Sequence, residues 1–460
     1  MSKTNVIAIF DIGKTNKKLF LFNEQYKIVF EQSFKFDETI DEDGFACEDI
    51  AVLTDWVKNS LSSIINLKNE KVVAVNFSTY GASFVHTDKE GKPVAPLYNY
   101  LKPFPEKLKQ QFYKKYGGEK EFSKTTASPV LGNLNSGLQL YRLKNEQPEL
   151  FDKIRYSLHL PQYFNSIITG RSYADITSIG CHTGLWNFQK NTYHEWLQRE
   201  GIIGKLPGIF PSDQAMKTHW KKQPLLIGVG LHDSSAALIP YLSGFNEPFI
   251  LLSTGTWCIS LNPFNQTALT VDELANDCLC YMEYFGKPVK ASRLFAGFEH
   301  EEQVKRLAAH FNTDAEYYTT IDFDPELVTA MTVSKEAVAV SKTAMIPQST
   351  FSKKNLADFP DYASAYHQLM QDIMIQQVAS TNLVLKDTEV KRIFVDGGFS
   401  RNPVYMNLLS ASFPHIEIYA ATVAQASATG AALAIHSYWN KSPKPVDLIE
   451  LKFYSIHKEE

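Results

Sequence analysis

Residues 5–22 read NVIAIFDIGKTNKKLFLF: an apolar run, a polar turn containing Gly13, and a second run that alternates. The spacing predicts two antiparallel strands joined at DIGKTN, and KIVFEQSFKF from Lys27 extends the meander to a third. A Walker A loop is excluded here. Its first glycine would have to stand at Ala8, and a helix would have to follow where KKLFLF alternates like a strand. Downstream, a helical segment is expected over 48–67, a buried strand over 72–79 and a hairpin strand over 84–88. Leu138, Leu140 and Leu143 give helical spacing to 135–160, which leads into a second apolar helix, YFNSIITG. After Leu225, strands and glycine turns alternate again through LLIGVG, PFILLSTGTW and RIFVDGGF. Three strands, a helix and a strand near the start of each half predict an internally duplicated α/β chain.

With 460 residues, two domains are the default, and the boundary is expected in the YLSG loop after Pro240. A hydrophobic content of 44%, a charged content of 21% and a net charge of −4 describe a soluble globular protein. That charge leaves no electrostatic footprint for nucleic acid or an anionic membrane. No apolar stretch has the length of a membrane span, and the opening run meets Asp11 too soon for a signal peptide, so a cytoplasmic location is expected. Five scattered cysteines suit reduced thiols, with Cys278 and Cys280 as half-buried strand residues.

Three glycine turns follow apolar strands directly: Asp11-Ile12-Gly13-Lys14-Thr15-Asn16, Ser253-Thr254-Gly255-Thr256-Trp257 and Asp396-Gly397-Gly398. Glycine lets backbone N–H groups turn toward an anion, and Thr or Ser hydroxyls add donors. An acidic strand end such as Asp11 can hold Mg²⁺ through water beside those phosphates. Each turn alone could equally be a plain hairpin.

Taken in order, these segments resemble the FGGY carbohydrate kinases of the actin, hexokinase and Hsp70 superfamily, and within them the L-rhamnulose and L-fuculose kinases. DIGKTN resembles the family's first phosphate turn, and FSTYGASFVHTDKEGKPV (77–94) its strand–hairpin. LNSGLQLYRLKNEQPELF and LPQYFNSIITG resemble the helical insert that precedes the catalytic segment. GLHDSSAA (230–237) resembles the catalytic turn, LLSTGTW (251–257) the second phosphate turn, FVDGGFSRNP (394–403) the adenosine motif and AQASATGAALA (424–434) the last helix. Lys14 departs from the small residue usual in the first turn, Ser83 from an aspartate, and Gln425 from a glutamate. SRLFAGFEHEE (292–302) departs from an N-x-G-G turn. Ser83 and that loop fall where such kinases contact the sugar or shape the cleft.

The resemblance implies two ribonuclease-H-like domains, 1–240 and 241–460, each with a mixed five-stranded sheet, and a cleft between them. It implies ATP and Mg²⁺, with the sugar held mainly by the first domain and ATP by the second. Asp233 is implied as catalytic base and Asp11 as the Mg²⁺ organiser through water, with Asp233 beside the metal. Gly81, Ser83, His232, Asp233 and Ser234 would face the sugar. Gly13, Lys14, Thr15, Asn16, Lys17, Lys18, Thr254, Gly255, Thr256, Gly397, Gly398 and Asn402 would face ATP and its phosphates.

Plainer readings stand beside these. An aspartate at a strand–helix junction is commonly an N-cap, His232 is equally a hydrogen-bonded core residue, and Lys17 or Lys18 a solvated strand edge. Trp257 reads as core, and Glu299, Glu301 and Glu302 as a solvated helix start. The implied reaction is phosphorylation of a ketose, L-fuculose or L-rhamnulose, at O1. Xylulose, ribulose or glycerol as acceptor is an alternative, as are a non-catalytic sugar sensor on the same fold and an ATPase of the Hsp70 or actin branch. The expected partners are a small-molecule sugar and ATP, and a homodimer is compatible with the sequence.

Overall fold

The structure is a computed structural model that describes residues 3–330, 349–423, 425–445 and 447–455. It divides into two compact units. One comprises Met1–Gly244, Cys280–Pro288 and Ala424–Leu448, and the other Phe245–Leu279, Val289–Val423 and Ile449–Glu460. This differs from a single crossing after Pro240. The YLSG segment is the end of a helix, Asp233–Gly244, that contains Pro240, and the AQASATGAALA helix packs with the first unit, not with the second half of the chain.

In the first unit β1 (Thr4–Ile12), β2 (Lys17–Asn23) and β3 (Ile28–Phe34) form the expected antiparallel meander. Helix α1 (Ile50–Ile64) follows, capped by Asp49, whose side chain accepts from the Ala51 and Val52 N–H groups. It returns the chain to β4 (Glu70–Thr79), parallel to β1. Helix α2 (Leu160–Thr169) ends at Gly170 in the left-handed conformation. β5 (Ala215–Trp220) and β6 (Gln223–Gly228) form a hairpin whose second strand joins β4 in parallel, and β7 (Leu231–His232) pairs with the end of β4. Val6 to Phe10 are fully buried, which explains why this strand reads as a continuous apolar run and not as an alternation. The strand expected at 84–88 forms at Phe84–Thr87, and its strand partner is Tyr156–His159.

The second unit repeats the order. β8 (Phe249–Thr254) and β9 (Cys258–Asn262) are antiparallel. Next come β10 (Cys278–Met282), whose residues from Cys280 on belong to the first unit, and β11 (Pro288–Leu294), which pairs antiparallel with β9. Helix α4 (Ala296–Phe311) and the 24-residue α5 (Tyr362–Leu385) lead to β12 (Arg392–Gly397), parallel to β8. Helix α6 (Pro403–Ser412) leads to β13 (Glu417–Thr422), parallel to β12, and β14 (Glu450–Tyr454) closes the edge. Between those last two strands lies α7 (Ala426–Ala434).

The architecture is the mixed α/β duplication expected, but each sheet holds seven strands where five were expected. In the first sheet the extra members are the short β7 and the hairpin strand β5. All five cysteines are buried and none forms a disulfide; Cys278 and Cys280 are fully enclosed, not half-buried. Among the described residues no helix is long and apolar enough to cross a membrane.

Candidate active site

In the first unit, three parallel strands end side by side. Asp11 lies opposite Ser78, which lies opposite Leu231; one residue on, Ile12, Thr79 and His232 form the next row. Asp11 and Asp233 therefore leave the same carboxyl edge of the sheet with β4 between them, two strand spacings or roughly 10 Å apart at the backbone. Ligands of open α/β sheets bind at such edges.

Asp233 opens helix α3 (Asp233–Gly244). Its Oδ1 accepts from the Ser234 N–H (2.6 Å) and Ser234 Oγ (3.3 Å), and Oδ2 has no hydrogen-bond partner among the described residues. An N-cap would accept from N–H groups two or three residues ahead, so the capping reading fails. Burial pushes the Asp233 carboxyl up to about 6, although 37% of its side-chain surface stays accessible. Asp11 is also raised to about 6, first by burial and further by the charge of Asp233, against the lowering effects of Ser427, Ser78 and Lys18.

His232 is buried and held at about 3, so its ring is neutral. Nε2 lies 3.2 Å from Asp233 Oδ1 and 3.2 Å from Cys181 Sγ, and the ring stacks on Tyr281 with centroids 5.6 Å apart. Gly81 makes room for that ring: a Cβ there would sit 2.8 Å from His232 Cδ2. Ser83 is buried beside Tyr80, whose hydroxyl donates to Glu48.

Thr15 and Asn16 form the exposed tip of the first turn, and the Gly13 N–H donates to the Asn16 carbonyl (2.9 Å). Lys14 reaches Glu38 (2.5 Å). Lys17 is not a solvated strand edge. It is 2% exposed, ion-paired with Glu48 and donates to the Lys14 carbonyl (2.8 Å). Glu48 in turn accepts from the Tyr80 hydroxyl. Lys18 keeps 27% exposure and donates to Gln425 Oε1 (3.3 Å).

In the second unit, Thr254 is buried. Its hydroxyl donates to the Asp396 carbonyl (2.7 Å) and accepts from the Phe399 N–H (3.0 Å), so it ties two turns together. Gly255, Thr256, Gly397 and Gly398 are exposed. Gly397 has φ +95°, and a Cβ there would stand 2.0 Å from the Thr254 carbonyl. These turns border a cavity of about 520 Å³ lined by Thr254, Gly255, His300, Tyr318, Gly398 and Asn402, among others. Asn402 caps α6 by accepting from the Tyr405 N–H.

Three contributors escaped the sequence reading. Ser427 Oγ donates to Asp11 Oδ2 (2.9 Å). Gly297 packs on the second turn, where a Cβ would meet the Gly255 carbonyl at 1.8 Å, and the Phe298 N–H donates to the Thr256 carbonyl (3.1 Å). Segment 292–302 thus buttresses the Thr254–Thr256 turn. His300, the third, faces the cavity. Only the small residues of ASATG and AGF hinted at close backbone approach. Trp257, expected in the core, is 41% exposed beneath Arg293, whose guanidinium carbon lies 5.2 Å from the ring centroid. Glu301 and Glu302 are solvated and pair with Lys305, whereas Glu299, in the first turn of α4, accepts from Gln376 Nε2 (3.2 Å).

The model described as the FGGY family of carbohydrate kinases, N-terminal domain, matches residues 6–235, and that of the FGGY C-terminal domain matches 246–444. The chain belongs to the FGGY family of carbohydrate kinases. A rhamnulokinase from Halalkalibacterium halodurans is 23% identical over 271 residues, 54% of this chain and 54% of that protein. The match thus spans about half the length of this curated relative. Among solved structures, a carbohydrate kinase from Novosphingobium aromaticivorans gives a TM-score of 0.79 at 22% identity, covering 99% of this chain and 95% of that one. A ligand-bound xylulose kinase from Lactobacillus acidophilus gives 0.73 at 16% identity, covering 98% and 94%. These likenesses show the two-domain actin/hexokinase-like fold.

Proposed function

We propose that this FGGY-family chain transfers the γ-phosphoryl group of ATP to a hydroxyl of a ketose, with Asp233 as the general base. The observation that carries the reading is Asp233 itself. It is a carboxylate at the sheet's carboxyl edge with one oxygen unbonded, and burial brings its proton affinity close to neutrality. Phosphoryl transfer needs little covalent chemistry from the protein. Positioning and charge neutralisation do most of the work, and a base accepts the hydroxyl proton as the bond to phosphorus forms.

In this reading Asp233 takes the sugar proton, neutral His232 and Ser234 fix the geometry around it, and Gly81 seats the His232 ring. Thr15, Asn16 and Thr256 are the exposed hydroxyl and amide groups available to phosphate oxygens. Gly397 and Gly398 let the backbone approach the nucleoside in the second unit, which takes ATP, while the first takes the sugar. Lys17 and Thr254 act through structure and not as ligands.

Mg²⁺ suits the donor set. Asp11 and Asp233 repel one another, which a cation would relieve, and among the described residues no group of three or more His, Cys, Asp or Glu forms a metal cage. An ion held by Asp11 through water, with Asp233 beside it, would neutralise phosphate charge, as Mg²⁺ does when phosphates supply most of its ligands.

The similarity to a rhamnulokinase supports L-rhamnulose or L-fuculose as acceptor, phosphorylated at O1. Ser83, buried next to Tyr80 in the first unit, is the proposed site of sugar discrimination. Sugar-dependent ADP release across L-rhamnulose, L-fuculose, xylulose, ribulose and glycerol tests the reading. Release that no sugar stimulates would overturn it.

A further inference from the structure

The 520 Å³ cavity of the second unit holds a polar group that the reading so far leaves unused, the imidazole of His300. His300 sits on α4, 7% exposed, with Phe399 and Tyr318 edge-on to its ring at 5.2 and 4.9 Å. Burial holds it at about 4, so it is neutral near pH 7 and carries a single ring N–H.

Which nitrogen carries that proton follows from a chain of hydrogen bonds. Asn402 Oδ1 accepts from the Tyr405 N–H at the start of α6 (3.0 Å), which fixes the amide so that Nδ2 is the outward donor. Nδ2 donates to the Tyr366 hydroxyl oxygen (2.6 Å). Tyr366 is fully buried, and its oxygen is 3.0 Å from His300 Nε2. If Nε2 carried the proton, the phenol oxygen would accept twice and its own O–H would be buried without an acceptor, which is unfavourable. The satisfied arrangement has Tyr366 donating to Nε2, and so places the proton on Nδ1. Among the described residues no group bonds Nδ1, and the ring lines the cavity.

We propose that His300 is a specificity-determining residue of the nucleotide site: its Nδ1–H donates a hydrogen bond to an acceptor atom of the bound base, and Asn402 and Tyr366 fix that tautomer from behind. The proposal rests on reading the cavity as the nucleotide site. The aromatic rings beside His300 favour a flat heterocycle over the triphosphate as the group that meets it.

Two measurements test this. In ¹⁵N-labelled protein without ligand, the His300 resonances should report a protonated Nδ1 and an acceptor Nε2, and Tyr366→Phe should shift the ring toward the other tautomer. An Nε2–H ring in the wild type overturns the proposal whether or not nucleotide binds. In calorimetric titrations, His300→Phe should weaken ATP binding about tenfold, the scale of one hydrogen bond, and leave the affinity for inorganic tripolyphosphate within twofold. Tyr366→Phe should weaken ATP binding about threefold. An unchanged ATP affinity in His300→Phe, or equal losses for ATP and tripolyphosphate, overturns the role of His300. A wild-type protein that binds no ATP removes the nucleotide reading itself, a result separate from the tautomer found by NMR.

Discussion

Gly81 and His232 meet at the distance of a missing methyl group: a Cβ on Gly81 would lie 2.8 Å from Cδ2 and 3.0 Å from Nε2 of the imidazole. The ring cannot retreat freely, because Tyr281 stacks on it and Cys181 bounds the same nitrogen. Gly81→Ala should therefore displace the ring beside Asp233. We expect a stability loss of about 1–3 kcal/mol and a fall in kcat larger than the change in KM for ATP. Steady-state kinetics with a denaturation curve checks both, and wild-type kcat in the alanine variant would show that the ring's position is immaterial.

The acid limb of the rate profile should belong to Asp233 together with Asp11, both held at about 6. A base must be unprotonated, so kcat/KM should fall as pH drops through about 6, where burial holds the Asp233 carboxyl. His232, held at about 3, stays neutral over that range and contributes no step. Asp233→Asn should lower turnover by about 10²–10⁴ while ATP still binds, because the proposed ATP contacts lie elsewhere. A folded variant keeping more than about a tenth of wild-type turnover would exclude the base role.

The same substitution should stabilise the protein at high pH. The folded-state pKa of Asp233 is raised from 3.8 to about 6. Its favourable contribution is therefore complete below the unfolded value and is lost as pH rises through 6. A fully enclosed group with that shift would lose about 3 kcal/mol. Since 37% of this side chain is accessible, screening reduces the figure to about 1 kcal/mol. Asp233→Asn should gain that amount at pH 8 and nothing near pH 4, which urea denaturation at the two pH values reads directly.

Lys17→Ala should act on stability and not on nucleotide affinity. It would leave Glu48, 6% exposed, with only the Tyr80 hydroxyl and the more distant Lys14 ammonium (3.9 Å) as partners. Removing one member of a buried pair typically costs about 3–5 kcal/mol. Adding Glu48→Gln should recover a large part of the loss. A Lys17→Ala protein that melts like wild type but binds ATP much more weakly would return Lys17 to the phosphate site.

Gly397→Ala combines a Cβ 2.0 Å from the Thr254 carbonyl with φ +95°, and neither backbone can yield cheaply. The turn should open, with loss of ATP binding measured by calorimetry. Retained ATP affinity in a folded variant would show that the turn's shape does not matter to the nucleotide.

The sequence by itself determined the elements and their order. Residues 5–22 declared a hairpin and excluded a P-loop, since strand alternation and the absence of a glycine at position 8 are local facts. The glycine turns after strands, and Asp233 at a strand–helix junction, were visible for the same reason: backbone geometry at a turn depends on the few residues that make it. Tertiary structure decided which polar side chains are available. Lys17 looked like a solvated cation until β2 placed it against Glu48, which lies 31 positions away in the chain. Thr254 looked like a free hydroxyl until the next turn took its proton. Ser427 reaches Asp11 across 416 positions, and Trp257, 41% exposed, lies outside the core with Arg293 over its face. A hydroxyl or ammonium group carries no mark in sequence of whether a distant partner has claimed it, because hydrogen bonding is settled by what packing brings within about 3 Å.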